Sequence, residues 1–351
     1  MNLDRKIYMK IRTADQLEET IDSMMPKTDE KRYLFIDEIQ NVDDFEELIN
    51  AYREDGVSVF ITGSNSYLLS GEMVTKLTGR YVEFKILTFS LSEIRDYMII
   101  NDIDFDPVRG FDDFLHYGGY PKRFDYPDTD SALLYVRSVI EESVSKDILL
   151  KRKVRDRTTL EKVMKYLFSV PGATISSTSI ADYLHGEHMK TQYQTVLRYL
   201  ELIFSSKLAT ECERYDIVGK KMLKTLYKSY VADPAIHSLY PNTRQDVRLG
   251  AMIENIVYNE LISRGYDVSV GKLRGAEVDF VVKRNTDLAY IQVTYLMPDE
   301  KTIRREKDPL LNIRDGFPKY IITMDPVAVD SDGIHVLNLV NDFLLGDGFK
   351  L

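Results

Sequence analysis

The sequence predicts an α/β fold, because short apolar runs alternate along it with helical segments. Tyr33–Ile36 is a continuous apolar run followed by Asp-Glu, and Val57–Thr62 is a β-branched segment followed by Gly63. Such runs are typical of strands that are buried on both faces of a parallel sheet. Phe45–Tyr52 between them, and Thr13–Met25 before them, have helical patterns. Helices that alternate with buried strands indicate the α/β class.

The middle of the chain predicts a helical segment followed by a winged helix-turn-helix. A helical pattern extends from about Ile94 to Lys165, and the turn Gly118–Pro121 interrupts it. A compact unit then has three helices and two β-like runs: Leu160–Val170, Ser179–Leu184, Tyr193–Ile203, Leu208–Arg214 and Met222–Val231. This is the order of elements in a winged helix-turn-helix.

A second, smaller α/β unit is predicted towards the C-terminal end. The Asp233-Pro234 pair and the polar stretch Pro241–Arg248 indicate a boundary before it. A helix at Met252–Arg264 stops at a glycine, and Gly271-Lys272 is interpreted as a turn. Four strands are predicted, of which the first two are expected to form a hairpin: Val278–Val282, Tyr290–Tyr295, Tyr320–Thr323 and His335–Leu337.

The composition is that of an ordinary soluble chain, with 44% of the 351 residues hydrophobic and 29% charged. Cys212 is the single cysteine, so no internal disulfide can form, which is typical of a reducing compartment. No apolar run is long enough to cross a bilayer, and the N-terminus has no apolar signal core. We therefore expect a cytoplasmic protein without a membrane partner.

The net charge of −10 argues against a chain that binds nucleic acid over its whole surface. The charge is uneven, however: Lys146–Lys228 holds 16 Lys and Arg against 9 Asp and Glu, a local charge of +7 that leaves −17 for the remainder. A basic segment in an acidic chain indicates a negatively charged partner. The alternative is that the basic run Lys151–Arg157 is only a solvated helix face.

Asp37 and Glu38 complete a Walker B pattern, which consists of four apolar residues followed by Asp-Glu. In such a site Asp37 would hold the Mg²⁺ of Mg-ATP through water, and Glu38 would be the base that orients the attacking water. A strand that ends in two acids is also common in proteins without this function. Two neighbouring features favour the functional interpretation: polar residues Ser64 and Asn65 follow the next strand, and Arg80 comes after a glycine.

Together these segments resemble an archaeal and bacterial family in which an AAA ATPase core precedes a C-terminal domain of unknown function. The resemblance implies an incomplete P-loop AAA-type parallel sheet, ATP hydrolysis that moves or remodels a partner, and Mg-ATP as the cofactor of the intact family. Ser64 and Asn65 would sense the γ-phosphate or water, and Arg80 would be either an arginine finger or a plain surface residue. The matching segments are YLFIDEIQNV (Tyr33–Val42), FITGSNSYLLSGE (Phe60–Glu72), LTGRYVE (Leu77–Glu83), GGYP (Gly118–Pro121), TVLRYLE (Thr195–Glu201), RYDIVGKK (Arg214–Lys221), IENIVYNEL (Ile253–Leu261) and EVDFVV (Glu277–Val282).

The sequence departs from this family at the phosphate-binding loop. The pattern GxxxxGK followed by Ser or Thr occurs nowhere in the 351 residues, and Met1–Asp4 resembles the middle of the family's second strand. The loop supplies backbone N–H groups and a lysine for the β- and γ-phosphates, so we expect weak or no Mg-ATP binding. A missing strand should also expose one face of the sheet, which predicts either self-association or coverage by the helix Thr13–Met25.

DNA and protein are alternative partners for the winged helix. In this fold the third helix and the wing bind DNA. Here the helix would present Gln194, Thr195 and Arg198, and the wing tip would present Lys220 and Lys221. The alternative is a winged helix that acts as a spacer or as a protein-docking module, and the sequence favours neither.

The C-terminal unit resembles restriction-endonuclease-like folds, in which a helix Glu, a strand Asp and an acid-x-Lys pair form a Mg²⁺ site. Glu254 and Asp279 match the first two positions. The third reads Gln292-Val293-Thr294, in which Gln292 is neutral and Thr294 cannot supply the cation. We expect a degenerate nuclease site that does not cleave. The simpler alternative is that these residues belong to ordinary core strands.

These observations predict four segments. They are 1–95, a partial AAA core without the phosphate loop; 96–158, a helical lid-like segment; 159–235, the winged helix-turn-helix; and 245–351, a small nuclease-like α/β domain. The leading functional hypothesis is an AAA-family ATPase with impaired ATP binding. The alternative is a non-catalytic DNA- or protein-binding module, and Gln292 and Thr294 disfavour an active Mg²⁺ nuclease.

Overall fold

The computed structural model describes residues 1–26, 28, 30–63, 79–145, 148, 154, 156–186, 189, 191–240, 246–327 and 329–351. Two compact units divide the chain, Met1–Lys85 and Ile86–Leu351, and each is described separately. The candidate sensors Ser64 and Asn65 and the basic run Lys151–Lys153 lie outside the described residues.

Both units contain helices and strands, which in the second unit occur in runs rather than in strict alternation. The helices are α1 (Ala14–Met24), α2 (Phe45–Glu54), α3 (Leu91–Ile100), α4 (Pro107–Tyr117), α5 (Thr129–Ser143), α6 (Arg157–Ser169), α7 (Ser177–Gly186), α8 (Tyr193–Ser205), α9 (Pro234–Leu239), α10 (Asp246–Ser263) and α11 (Glu300–Leu311). The strands are β1 (Tyr33–Ile36), β2 (Ser58–Ile61), β3 (Thr174–Ile175), β4 (Ala209–Asp216), β5 (Lys221–Val231), β6 (Asp267–Leu273), β7 (Ala276–Arg284), β8 (Asp287–Thr294), β9 (Lys319–Thr323) and β10 (Ile334–Asn338). Short 3₁₀ helices at Ile39–Asn41 and Pro121–Asp125, and a π-helix at Leu339–Leu344, complete the set of described elements.

The first unit contains a two-stranded parallel sheet, β1 and β2. The strands pair from Tyr33 with Ser58 to Ile36 with Ile61. Both carboxyl ends therefore lie at the same edge of the sheet, which places the residues after β1 beside those after β2. The chain start also runs beside β1, where Asn2 forms a parallel bridge with Asp37.

Only one face of this sheet is buried, which corrects the expectation of strands buried on both faces and agrees with the expectation of one exposed face. Ile36 shares a core with Leu17 and Ile21 of α1. On the other face, Tyr33 and Phe35 are 56% and 59% exposed. The parallel pairing was predicted correctly, but both α1 and α2 contribute to the single core on the Ile36 side, so the aromatic face has no helix over it among the described residues.

The second unit contains an eight-stranded sheet in the order β10-β9-β8-β7-β6-β4-β5-β3. β4 pairs with β5 in antiparallel orientation and with β6 in parallel, through Arg214–Asp216 and Val270–Lys272. The predicted hairpin of the middle segment and the C-terminal strands therefore belong to one sheet. The predicted hairpin β7–β8 is present, and β8, β9 and β10 are parallel neighbours.

Strand β6 lies where Gly271-Lys272 suggested a turn, so that prediction was wrong. A Cβ atom on Gly271 would lie 2.9 Å from Ile217 Cδ1 and 3.0 Å from Val278 Cβ. The glycine is needed because neighbouring side chains approach the backbone closely, as glycines within strands often allow.

The helical middle packs around its own core, to which Leu167 of α6, Ile180 of α7 and Val196 of α8 contribute. β3 lies between α6 and α7 and pairs with β5 in antiparallel orientation. The elements thus follow in the order helix, short strand, helix, helix and hairpin. No described helix is both long enough and apolar enough to span a membrane.

Candidate functional site

Asp37 directly follows β1, at the carboxyl end of that strand. Its Oδ2 accepts a hydrogen bond from Asn2 Nδ2 at 2.6 Å, and its Oδ1 accepts from the Thr62 hydroxyl. Its backbone N–H donates to Met1 O at 2.9 Å. These contacts fix the orientation of a half-buried carboxylate, and each oxygen keeps a lone pair for a further donor or a metal-bound water.

Glu38 has a left-handed backbone conformation, with φ 62° and ψ 42°. This conformation is uncommon for a residue other than glycine, Asn or Asp, and it costs about 1–3 kcal/mol. The Glu38 carboxylate accepts from the side-chain amide of Gln40, and its N–H donates to Thr62 Oγ1 at 3.4 Å. Strain of this size at a candidate catalytic acid is consistent with a functional constraint on its position.

Thr62 connects the two acids, and the sequence analysis did not select it. Its hydroxyl donates to Asp37 and accepts from the Glu38 N–H, and its carbonyl accepts from the Ile39 N–H at 3.0 Å. The available signal was its place directly after β2, at the edge where both parallel strands end. Ser64, chosen two positions later, lies outside the described residues.

Arg80 is exposed, and within the described part of the first unit no hydrogen bond or ion pair joins it to Asp37 or Glu38. The structure therefore groups Asp37, Glu38 and Thr62, and the role of Arg80 stays a prediction.

No group of three or more His, Cys, Asp or Glu among the described residues could hold a metal ion. A Walker B acid does not need such a group, because phosphate oxygens and water complete the coordination of Mg²⁺.

A second group of charged side chains lies in the second unit, where β5, α10 and β7 meet. The ammonium of Lys228 is 2.9 Å from Glu254 Oε1, 3.0 Å from Glu277 Oε1 and 3.8 Å from Asp279 Oδ1. The Lys228 side chain is 8% exposed. The structure thus brings together Glu254 and Asp279, as the nuclease-like pattern requires, and adds Lys228 and Glu277. We call these four residues the acid–lysine cluster.

Two further donors contact the glutamates of this cluster. The Tyr230 hydroxyl donates to Glu254 Oε1 at 2.6 Å, and the Arg214 guanidinium pairs with Glu277. Lys228 and Arg214 were both counted in the basic segment of the sequence. Their side chains are 8% and 16% exposed, so neither contributes to an open basic surface.

Gln292 and Thr294 take the place of the acid-x-Lys pair without providing a charge. Gln292 Oε1 accepts from the Asp279 N–H at 3.3 Å, and its Nε2 donates to Glu306 Oε2 at 3.0 Å. Thr294 is buried at the end of β8, opposite Thr323 of β9. The polar groups of Gln292 are therefore committed to neighbouring protein groups.

Burial raises the pKa of the Asp279 carboxyl to about 8, and the charge of Glu254 adds to this shift. Lys228 and the N–H of Val293, which donates to Asp279 Oδ2 at 2.8 Å, oppose it. For Lys228, burial lowers the pKa, but Glu254, Asp279 and Glu277 together raise it above its usual value. The ammonium is consequently a fixed positive charge at neutral pH.

The residues predicted to contact DNA lie on α8 and on the turn between β4 and β5. Gln194 and Arg198 are exposed and Thr195 is half-buried on the helix, while Lys220 and Lys221 are exposed at the turn. These side chains are accessible to a partner, although accessibility alone does not identify one.

Comparison with known proteins finds two matching family models and two relatives of similar sequence. Residues 1–95 match a family model described as an AAA domain, and residues 108–245 match a domain of unknown function. An uncharacterized protein of Haemophilus influenzae is 32% identical over 349 residues, which cover 98% of this chain and 85% of that protein. An uncharacterized protein of Methanocaldococcus jannaschii is 24% identical over 330 residues, 88% of this chain and 73% of that protein.

A solved structure of a Walker-type ATPase of Pyrococcus abyssi superposes with a TM-score of 0.41 and 16% identity, and the match spans 65% of this chain and 65% of that one. The relationship to the Haemophilus influenzae protein, at 32% identity over 98% of this chain, shows the family. The chain therefore belongs to one protein family with that protein, and its first 95 residues match the AAA-domain model.

Proposed function

We propose that this chain is an AAA-family nucleotide-binding protein in which Asp37 and Glu38 form the Walker B pair and in which ATP binding is weak. The observation that carries the proposal is that the Thr62 hydroxyl donates to the Asp37 carboxylate and accepts from the Glu38 backbone N–H, at the edge where β1 and β2 end. Ligands of open α/β sheets bind outside the carboxyl ends of the strands. The AAA domain match over residues 1–95 includes all three residues.

Each residue of this group has a role that follows from its contacts. Bound Mg-ATP would supply the metal ion and the γ-phosphate. Asp37, oriented by Asn2 and Thr62, would accept hydrogen bonds from water on the metal. Glu38 would accept a proton from the attacking water, or orient it, and its left-handed backbone determines where its carboxylate lies.

Weak binding is proposed because these 351 residues contain no GxxxxGK segment followed by Ser or Thr. That loop provides several charge-assisted hydrogen bonds to phosphate, each worth about 1.5–3 kcal/mol. Their loss leaves an affinity in the millimolar range, or ~4 kcal/mol of binding free energy.

Calorimetric titration with Mg-ATP tests this proposal. We expect millimolar binding, and any residual ATP turnover should be lost in Glu38→Gln and retained in Glu54→Gln, which changes an exposed glutamate at the end of α2. Thr62→Val should lower turnover while the domain stays folded. Micromolar affinity would contradict the weak-binding part, and turnover unchanged by Glu38→Gln would contradict the assignment of the base.

A second candidate is a DNA- or protein-binding module with a nuclease-like half that does not cleave. It is supported by the order helix, short strand, helix, helix and hairpin, which is that of a winged helix-turn-helix, and by the exposed Arg198, Lys220 and Lys221. The two candidates are compatible, since AAA proteins couple nucleotide hydrolysis to a partner.

A further inference from the structure

By the resemblance of the C-terminal unit to restriction-endonuclease-like folds, the acid–lysine cluster corresponds to the position of their divalent metal ion. Such a site requires acids that converge on one point and leave room for the ion, with a lysine beside it to activate water. Here the residues do not fit a resident metal ion. Gln292 is neutral and is hydrogen-bonded to Glu306, and the Lys228 ammonium lies among the acids rather than beside them.

We infer that the ammonium of Lys228 is a built-in counter-ion that takes the place of a divalent metal ion among Glu254, Glu277 and Asp279. Lys228 comes from β5, outside the α10-β7-β8 set that carries the nuclease-like pattern, so its position cannot be read from the acid-x-Lys spacing. Its Nζ contacts one acid of α10 and two of β7. One covalently attached cation thus contacts two glutamates from two elements and lies 3.8 Å from Asp279.

Positive side chains already balance the negative charges of the cluster, so no negative charge is left to bind a second cation. Glu254 and Glu277 face two cations, Lys228 and Arg214. The pKa of Asp279 is raised to about 8, which favours its neutral form at neutral pH. A divalent ion would have to enter beside a buried ammonium, and that repulsion is costly where little water can screen it.

The surroundings of the cluster also close it to a metal and its waters. The Tyr230 hydroxyl donates to the same Glu254 oxygen that contacts Lys228. On another side the backbone approaches closely, since a Cβ atom on Gly172 would lie 3.3 Å from Glu254 Oε1. Lys228 therefore also ties β5, a strand of the proposed winged helix, to the C-terminal half of the unit.

The test combines Mn²⁺ titration with removal of the counter-ion. Wild type should show no saturable Mn²⁺ binding by calorimetry and no shift of Tm with Mn²⁺. Lys228→Met keeps the apolar stem and removes the charge, so it should lower Tm, and Mn²⁺ should raise that Tm by several degrees as the acids close on the ion. Lys228→Met with Glu254→Gln should regain part of the lost Tm without metal and should lose the Mn²⁺ effect.

Two results would overturn the inference. One is saturable Mn²⁺ binding by wild type that Asp279→Asn abolishes. The other is a folded Lys228→Met variant whose Tm is that of wild type or does not respond to Mn²⁺. If Lys228→Met does not fold with or without Mn²⁺, the titration of wild type and Asp279→Asn decides: wild-type binding that Asp279→Asn abolishes contradicts the inference, and absence of such binding supports it. ATP binding in the first unit is measured separately, so its failure would not be confused with this outcome.

Discussion

Asn255 of α10 forms two hydrogen bonds with the backbone of Val231 in β5. Its Oδ1 accepts from the Val231 N–H at 2.8 Å, and its Nδ2 donates to the Val231 carbonyl at 2.9 Å. The Asn255 side chain thus makes the two hydrogen bonds that a neighbouring strand would make with Val231, on the side of β5 away from β4. Asn255 is fully buried, so neither group of Val231 has water as an alternative partner.

We predict that Asn255→Leu lowers the free energy of unfolding by about 2–4 kcal/mol, because it leaves a buried N–H without an acceptor. Urea denaturation followed by circular dichroism measures this change. Asn259→Ala is the matched control one turn along α10: it removes only donors to Val231 and Ala232 from a half-buried side chain and should cost less. Equal losses in the two variants would contradict the special role of Asn255.

The sequence was sufficient for elements with strong local patterns. The parallel pair β1–β2, the hairpin β7–β8 and the helix begun by Thr13 were all predicted, because apolar runs, turn spacing and capping residues determine them locally. The burial of β1 was predicted wrongly, since an apolar run does not reveal whether one or two layers of helices will cover a strand.

The candidate sites were only partly predictable, because their residues come from segments that are far apart in the sequence. Glu254 and Asp279 were selected from a family pattern, but Lys228 is 26 positions from Glu254 and had been counted as part of a basic segment. Its partners are determined by the pairing of β4 with β5 and β6, which no local spacing encodes. Thr62 was overlooked beside the more polar residues that follow it.

Asp279 should make the stability of the second unit depend on pH. Its folded-state pKa is raised to about 8, above the unfolded value of about 3.9. Between these values the folded state holds a proton that the unfolded chain releases, so the free energy of unfolding contributed by Asp279 falls as the pH rises from about 4 to about 8.

Asp279→Asn mimics the neutral form of the carboxyl. We therefore expect its free energy of unfolding, measured by urea denaturation, to fall less than that of wild type across this pH range. Asp267→Asn changes an exposed aspartate at the start of β6 and should leave the pH profile as in wild type. A profile for Asp279→Asn that falls as steeply as that of wild type would show that Asp279 is ionised in the folded protein throughout.

No nicking of supercoiled plasmid DNA is expected in the presence of Mg²⁺ or Mn²⁺. Gln292 offers a neutral amide where an acid is needed, and the Lys228 ammonium is held by three acids and is not free to activate water. Gel analysis of plasmid topology with wild type and Asp279→Ala provides the measurement. Nicking by wild type that disappears in Asp279→Ala would establish an active nuclease and contradict the prediction.

Binding of duplex DNA by the proposed winged helix should fall steeply with salt. If α8 enters the major groove, Arg198 can reach a base edge, and Lys220 and Lys221 at the β4–β5 turn can contact phosphates. Each phosphate contact releases counterions and contributes about −0.9 to the slope of log affinity against log salt. Replacing both lysines should thus reduce the slope by about 1.8, and it should weaken all sequences alike.

A fluorescence-anisotropy salt series on three proteins measures this slope. The proteins are wild type, Lys220→Ala with Lys221→Ala, and Lys6→Ala with Lys10→Ala, which removes the same charge from exposed positions of the first unit. The control should keep the wild-type slope, because net charge alone acts weakly at a distance once salt screens it. Arg198→Ala should instead reduce the difference in affinity between duplexes of different sequence. If wild type does not bind at low salt, or the wing variant keeps the wild-type slope, the DNA interpretation is contradicted, since the exposed basic turn would then contribute no phosphate contact.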